Sequence, residues 1–278
     1  GTVNSGNVMA FAPLNQQAGV PLVAGPSIAT GITAEFIDED PSFVFRCSMV
    51  EKYQIDAMLD WGVENFERIG LLHSTTGYGS FAADEIKKGM QERGAELVAV
   101  EAAAPGVNDL TSQMIRLRDA EAGLVLNFHE SFELPYRALP RIDYDPVFAG
   151  NWGLSSAKVL DIVGEEAIEG TVMGQALDMN DPDAQAFDER MRAEYGEAYR
   201  WPVVAALGYD AGTIMFAAIE AAGSDDPAAI RDAIEAIDGV DAVSATPPSP
   251  FSETDHECLD PEHVFLGVWR DGQVVRLQ

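Results

Sequence analysis

Short hydrophobic runs alternate with amphipathic stretches through the middle of the chain. On residues 81–93, Ala82, Ile86 and Met90 recur every four positions, which predicts a helix with one buried face. The predicted strands are 68–72, 96–100, 123–128, 146–150 and 171–174, and the predicted helices between them are 81–93, a segment capped by Asn108 or Asp109, and 155–163. Strands and helices that alternate through short loops predict a parallel sheet with helices on both faces and right-handed crossovers.

The flanking segments have a different pattern. A helix (8–18) and a strand (20–24) precede the middle; the helices predicted after it are 184–195, 203–222 and 227–237, and the apolar second one is expected to be buried. Asp271-Gly272 between two apolar runs predicts a final hairpin. No apolar run is expected to reach the about 18 to 20 residues of a membrane span.

Neither flank looks complete alone, so we predict an α/β protein of two doubly wound lobes. Residues 1–47 with 176–260 are expected to form lobe one, and residues 48–175 with 261–278 lobe two. A chain of 278 residues is long enough for two such cores.

The charge excludes one class of partner. Forty-six acidic and 17 basic residues leave a net charge of −29. A protein that binds nucleic acid needs a basic face, so we expect no nucleic-acid partner. The acidic residues are scattered and form no calcium loop, and the two cysteines cannot make a zinc site by themselves.

Candidate chemistry is concentrated where the predicted strands end. Gly77-Tyr78-Gly79 follows a strand, but the third glycine of a dinucleotide motif and the lysine of a phosphate loop are missing. Tyr78 is therefore expected on a flexible loop over a ligand cleft, as in other open sheets. His129-Glu130 and Asn151-Trp152 follow two further strands. No serine, cysteine or zinc motif of an enzyme is present, so we expect no catalysis, cofactor or metal.

The sequence resembles a known family in several segments that occur in order. They are VPLVAGPSIAT, FVFRCSMVEKYQ, RIGLLHSTTGYGSFAADEIKKGM, GLVLNF, FAGNWGLSS, IEGTVMG and AALGYDAGTIMFAAIEAAGS. Together they are similar to the periplasmic substrate-binding proteins of ABC transporters, of the leucine/isoleucine/valine-binding type. The resemblance covers essentially the whole chain, and its specificity lies in the ordered set.

This resemblance implies a fold, a location and partners. It implies two α/β lobes joined by three crossover strands, with an amino acid or small carboxylate captured by hinge closure outside the cytoplasm, normally after removal of a signal peptide. ABC permease subunits are the implied partners and a monomer the implied state. Relative to the family pattern, the first strand–helix–strand–helix portion of lobe one is expected to be missing. A ligand-sensing regulator or receptor domain of the same fold is the alternative.

The resemblance also implies ligand-binding residues. Ser5 matches a serine that binds the ligand carboxylate, and the segment from Pro26 to Ile28, with Ser27, matches backbone that holds the same charged end. Tyr78 and Tyr209 match pocket tyrosines. Three loop positions complete the predicted set: Glu130, which falls where the family often has an aromatic, its neighbour His129, and Trp152.

Trp152 departs from the family pattern. In the amino-acid binders this position holds a carboxylate that pairs with the ligand's ammonium group, and tryptophan cannot do so. An unpaired buried cation is costly. Either Glu130 or Asp210 supplies the charge, or the ligand has no α-ammonium group and is a small carboxylate, an aromatic acid or an amide.

The same resemblance places the two cysteines at the implied crossovers between the lobes. Cys47 falls at the first implied crossover and Cys258 shortly before the third, and the crossovers lie side by side in the family. The resemblance therefore implies that the two could form a disulfide. Two unrelated buried thiols are the alternative.

Overall fold

The computed structural model describes residues 2–278, which divide into two compact units. Unit 1 runs to Glu51 and resumes over Ala176–Val264, and unit 2 comprises Lys52–Gln175 and Phe265–Gln278. The sequence prediction placed the breaks after residues 47, 175 and 260; the units have theirs after residues 51, 175 and 264.

Unit 2 is built on one seven-stranded sheet in the order β4-β3-β5-β6-β7-β8-β9. The strands are β3 (Ile69–Ser74), β4 (Leu97–Ala103), β5 (Leu124–Phe128), β6 (Val147–Gly150), β7 (Val172–Gln175), β8 (Phe265–Arg270) and β9 (Gln273–Arg276). Pairing is parallel from β4 to β7 and antiparallel for β7–β8 and β8–β9. Every residue of the interior strand β5 is buried, as expected where helices cover both faces.

The helices of unit 2 pack on these faces. They are α3 (Glu51–Asn65), whose first residue belongs to unit 1, α4 (Gly77–Glu92), α5 (Thr111–Asp119), α6 (Leu134–Ala138), α7 (Ala157–Val163) and α8 (Glu165–Ile168). Short 3-10 turns occupy Leu139–Arg141 and Trp152–Ser155. On α4, Ala82, Ile86 and Met90 are buried in one cluster, which confirms the predicted stripe.

Unit 1 is mostly helical around a small parallel sheet of β1 (Leu22–Ala24) and β2 (Val44–Arg46). Its helices are α1 (Ser5–Ala18), α2 (Gly31–Ala34), α9 (Pro182–Tyr195), α10 (Pro202–Ala222) and α11 (Pro227–Glu235), with 3-10 turns at Gly196–Ala198 and Pro261–His263. Val8, Ala12 and Ile32 pack with both strands in one core.

The structure corrects two predictions about α10. The helix was expected to be buried, but Phe216 is 75% exposed and Tyr209 and Ile219 are also exposed. Within residues 2–278, α10 is also the one helix whose length and composition would allow it to cross a membrane, although core helices of soluble proteins satisfy the same test. The prediction that no segment reaches that length was wrong, because Asp210 and Glu220 do not lower the mean hydropathy of the helix enough.

The start of α4 is a third correction. The predicted glycine loop does not exist, because the helix begins at Gly77 and Thr76 is its N-cap. A Cβ atom at Gly79 would overlap the backbone and side chain of Ser74 at the end of β3. Gly79 therefore allows the first turn of α4 to lie directly on β3, and Tyr78 is part of that rigid turn.

Candidate functional site

Three parallel strands of unit 2 end at one edge of the sheet, and the polar residues that follow them meet there. Tyr78 follows β3, Glu130 follows β5 and Asn151 follows β6. The Asn151 side-chain amide donates to the Tyr78 hydroxyl. The Tyr78 ring lies 6.4 Å from the Phe128 ring, centroid to centroid. The structure thus brings together the predicted loop residues of β3 and β6.

Glu130 is tied to the same edge through the cap of α4. The Thr76 hydroxyl donates to Oε1 of Glu130, and Thr76 Oγ1 lies 2.7 Å from Ser74 Oγ. Thr76 Oγ1 also accepts from the Gly79 amide at 3.3 Å. Glu130 is exposed, so one carboxylate is held in place while it remains open to solvent.

Trp152 is held by a glutamine that the sequence analysis missed. Its backbone N–H donates to Oε1 of Gln54 over 3.2 Å, and Gln54 is fully buried. A Cβ atom at Gly174 would lie 2.6 Å from Gln54 Cγ, so the glycine at β7 makes room for that side chain. Trp152 itself is 5% exposed. Only the absence of a side chain at Gly174 could have pointed to Gln54 beforehand.

The His129 side chain is hydrogen-bonded to the backbone of unit 2. It is fully buried, its Nδ1 accepts from the Ser131 amide at 3.1 Å, and its Nε2 lies 3.4 Å from the Ala104 carbonyl oxygen. With Nδ1 as an acceptor, Nε2 carries the proton and donates to that carbonyl. Both ring nitrogens are thus used inside unit 2, and we leave His129 out of the proposed ligand contacts.

In unit 1, the first turn of α1 meets the segment after β1. The Ser5 hydroxyl oxygen accepts from the backbone N–H groups of Ile28 at 3.3 Å and Ala29 at 3.2 Å. Since both lone pairs are used, the hydroxyl proton of Ser5 is free to donate to another acceptor. The structure therefore joins Ser5 and Ile28, which the sequence analysis placed in one subsite.

Arg46 fixes that segment from the other side, and the sequence analysis did not identify it. The guanidinium is fully buried and donates to the carbonyl oxygens of Ile28 at 3.0 Å and Ala29 at 2.6 Å. Its remaining donors reach Thr33 and Glu257. A single arginine inside an apolar strand (FVFRC) was the available sequence signal, because a buried charge needs several partners.

Ser27 contributes through its backbone position only. Its side chain is fully buried, and its hydroxyl donates to the Thr2 carbonyl oxygen over 2.5 Å. That donor is therefore occupied inside unit 1. We keep the Ser27 backbone, not the hydroxyl, in the candidate subsite.

The α10 residues differ in availability. Tyr209 is 41% exposed, and its ring contacts Phe187 with 5.3 Å between centroids and the Arg190 guanidinium at 5.3 Å. Asp210 is fully buried and accepts from the amides of Val243 and Ser244 and from the Ser244 hydroxyl. Burial raises the pKa of Asp210, although these hydrogen bonds act in the opposite direction.

The Asp210 carboxylate is thus fully buried and accepts three hydrogen bonds within its own unit. It holds the 243–244 segment against α10 and is not exposed to a ligand ammonium group. Of the two carboxylates that could replace the family's acid at position 152, only Glu130 is placed in the open.

One surface group in residues 2–278 has the spacing of a metal site: Asp260, Glu262 and His263. His263 Nδ1 already accepts from the Asp260 amide at 3.2 Å, as part of a helix cap. The group is better explained as the start of the Pro261–His263 turn than as a cation site.

Comparison with known proteins gives a consistent result. The profile of a family described as periplasmic binding protein matches residues 1–273. The Leu/Ile/Val-binding protein homolog 3 of Brucella melitensis is 26% identical over 284 residues, covering 100% of this chain and 74% of that protein. The leucine-, isoleucine-, valine-, threonine- and alanine-binding protein of Pseudomonas aeruginosa is 24% identical, covering 85% of this chain and 63% of that protein.

Solved structures show the same fold. A type 1 periplasmic binding protein from Bordetella pertussis superimposes with a TM-score of 0.85 at 22% identity, covering 99% of this chain and 79% of that one. A branched-chain amino acid ABC transporter protein from Thermus thermophilus with bound valine gives a TM-score of 0.80 at 18% identity, covering 99% and 75%. The predicted type I periplasmic binding fold is confirmed.

Proposed function

Because the chain belongs to the periplasmic binding protein family, we propose that it is the extracytoplasmic solute-binding component of an ABC importer. Its relatives are named as binding proteins rather than enzymes. The partners proposed for it are the permease subunits of such an importer, and the proposed state is a monomer. The interlobe closure implied by the sequence resemblance stays a prediction.

The observation that carries this proposal is the Ser5 subsite. The Ser5 hydroxyl keeps its proton available because two backbone amides occupy its oxygen. Ser5 lies in the first turn of the 14-residue helix α1, where the helix dipole favours negative charge. Arg46 holds the adjacent loop rigid from behind. A preorganised donor at a helix N-terminus is suited to a carboxylate.

The sheet edge of unit 2 supports a second part of the binding surface. Tyr78 and Asn151 are hydrogen-bonded to each other, so the phenol oxygen and the amide are held in a defined orientation. Glu130, held by the Thr76 hydroxyl, supplies one negative charge beside the largely buried Trp152. A few oriented polar groups on a mainly apolar wall are typical of small-molecule sites.

The proposed ligand is an amino acid or a small carboxylate or aromatic acid, and Glu130 distinguishes the two cases. Asp210 is committed within unit 1. An amino acid would therefore need Glu130 as the partner of its ammonium group. A ligand without an α-ammonium group needs no acid here.

The test is a thermal-shift screen against amino acids, amides and aromatic and aliphatic carboxylates. A ligand at 1,000 times its dissociation constant stabilises a protein by about 4 kcal/mol, which is several degrees for a chain of this size. Ser5→Ala should abolish or strongly reduce the shift. Because the substitution also removes the acceptor of two backbone amides, the variant should melt lower without ligand, and its shift is measured from its own ligand-free melting temperature. A screen without any shift, or a shift that Ser5→Ala leaves intact, would contradict the proposed site.

Ligand class is then read from Glu130→Gln by calorimetry with the active compound. For an amino acid, affinity should fall at least tenfold, about 1.4 kcal/mol. For a carboxylate without an ammonium group, affinity should stay constant or rise. Glu133→Gln is the matched control, because this acid lies three residues further on and makes no side-chain cap to α6.

A further inference from the structure

Cys47 and Cys258 are the two cysteines of the chain, both belong to unit 1, and both are buried as free thiols. Neither takes part in the ligand subsites described above. Each sulfur lies 3.6 Å from the same hydroxyl oxygen, Thr246 Oγ1. Two sulfurs that contact one oxygen are close neighbours.

The backbone register explains why the two thiols meet. Arg46 and Glu257 form a parallel β-bridge. The Arg46 amide donates to the His256 carbonyl oxygen, and the Cys258 amide donates to the Arg46 carbonyl oxygen, both over 2.9 Å. One step further along the same pairing, residue 47 lies beside residue 258. Neighbouring strands are about 4.8 Å apart, within the about 4.4 to 6.8 Å between Cα atoms that a disulfide requires.

The side chains also point the same way. Arg46 and Glu257 form an ion pair with each other, so both project to one face of the bridge. Because successive side chains of extended backbone alternate between faces, Cys47 and Cys258 both project to the opposite face. Burial raises the pKa of the Cys258 thiol, and contact with the Cys47 thiol raises it further.

We propose that Cys47 and Cys258 form a disulfide that closes unit 1 across the segments preceding its connections to unit 2. Two S–H bonds break and one S–S bond forms. The two electrons and two protons go to an external disulfide, such as oxidised glutathione or a disulfide-exchange protein, which becomes two thiols. Since both sulfurs are buried in the folded protein, the exchange takes place during folding, and the finished bond is protected from reductant.

The experiment refolds the full chain from denaturant in a glutathione redox buffer and, in parallel, in excess reductant. Each product is unfolded under acid trapping and treated with a maleimide that adds visible mass. The product from the redox buffer should take up no label, and an intact mass two hydrogens lower should identify the disulfide. The reduced product should take up two labels and melt several degrees lower. Two labels after oxidative refolding would overturn the proposal.

Two variants separate proximity from general thiol reactivity. Cys47→Ser combined with Ser224→Cys keeps two thiols but places one at an exposed position after α10, and it should not close an intramolecular bond. Cys47→Ser combined with Cys258→Ser should melt at the same temperature with and without reductant. If the native protein instead loses its disulfide to mild reductant as fast as an unfolded chain does, the bond is not at this buried site.

Discussion

At the scale of single residues, the least replaceable side chain is Arg46. It is fully buried, and its five donors are distributed over Glu257, Thr33 and two loop carbonyls. A lysine has one charged centre and cannot reproduce this planar fork. The consequence is that one charge orders the Pro26–Ala29 loop and the bridge to residue 257 together.

We predict that Arg46→Lys lowers the free energy of unfolding by about 2 to 5 kcal/mol, because lysine has only three donors for the five hydrogen bonds of Arg46 and each buried acceptor left unpaired costs about 1 to 3 kcal/mol. Urea denaturation followed by circular dichroism measures it. Arg116→Lys is the matched control, because the Arg116 side chain is 53% exposed beside Glu101 and the substitution should leave the stability nearly unchanged. If Arg46→Lys is too unstable to purify, Glu257→Gln should show a smaller loss in the same direction; equal, small effects for both arginines would contradict this account.

Asp210 makes a second residue-scale prediction, which concerns pH. Because burial raises its pKa in the folded state, folding favours the protonated carboxyl. That contribution to stability is complete below the unfolded-state pKa of about 3.9 and is lost as the pH rises through the higher folded-state value. The stability of the wild type relative to Asp210→Asn should therefore decline as the pH rises from about 4 towards neutrality.

The measurement for Asp210 is a series of urea titrations of both proteins across that range. The pairwise difference removes the titration of all other groups. A difference that grows with pH would mean that the hydrogen bonds from Ser244 and Val243 outweigh burial, and that the folded-state pKa lies below its usual value.

At the scale of elements, α4 shows what the sequence could and could not predict. The buried stripe of Ala82, Ile86 and Met90 follows from the period of the helix, and it was predicted correctly. The first turn was not, because two glycines and two threonines have low helix propensity and read as a loop. The turn forms because Thr76 caps it and because Gly79 fits against β3, and a contact with another element is invisible to local propensity.

The two glycines of that turn should respond oppositely to alanine. A Cβ atom at Gly79 would overlap Ser74, whereas a Cβ atom at Gly77 meets nothing within 4 Å. Gly79→Ala should therefore lose about 1 to 3 kcal/mol through overpacking. Gly77→Ala should be neutral or gain up to about 1 kcal/mol from helix propensity. Thermal unfolding compares the two, and equal effects would show that the turn is not packed on β3.

The residues of the candidate site fall into the same two groups: those that the sequence pattern predicts, and those whose roles depend on contacts in the folded protein. Tyr78, Glu130 and Asn151 were found because parallel strands end at one edge, and a sequence reveals strand ends. Gln54 and Arg46 were missed because their roles depend on partners far away in the chain, at Trp152 and Glu257. Asp210 was considered as a ligand partner, and only its contacts with residues 243–244 show that it is occupied.

At the scale of the whole molecule, composition predicts the class but not the burial of each helix. The apolar composition of α10 suggested a core helix, yet Phe216 is 75% exposed. Unit 1 presents that surface beside a sheet of only two strands, whereas the seven-stranded sheet of unit 2 is covered by helices. An apolar sequence therefore predicts that a helix has a face to bury. It does not show that other parts of residues 2–278 pack against that face.

Net charge gives the last prediction, since the charge of −29 exceeds what local ion pairs can offset. Seventeen basic residues can each neutralise one acid, as Arg116 does with Glu101, and the remaining acids repel one another. At about 0.1 to 0.15 M, salt screens charges that are more than about 8 to 10 Å apart. It therefore reduces the summed repulsion between distant acids more than it weakens the attraction within close ion pairs. We therefore expect the melting temperature to rise by several degrees as NaCl increases from about 0.01 to about 0.5 M, where the screening length is only a few ångströms.

Scanning calorimetry in NaCl and in KCl measures the effect, and the two salts should agree if screening is the cause. A melting temperature that falls with salt would mean that the ion pairs of the individual residues, rather than the excess of acid, dominate the electrostatics of the fold.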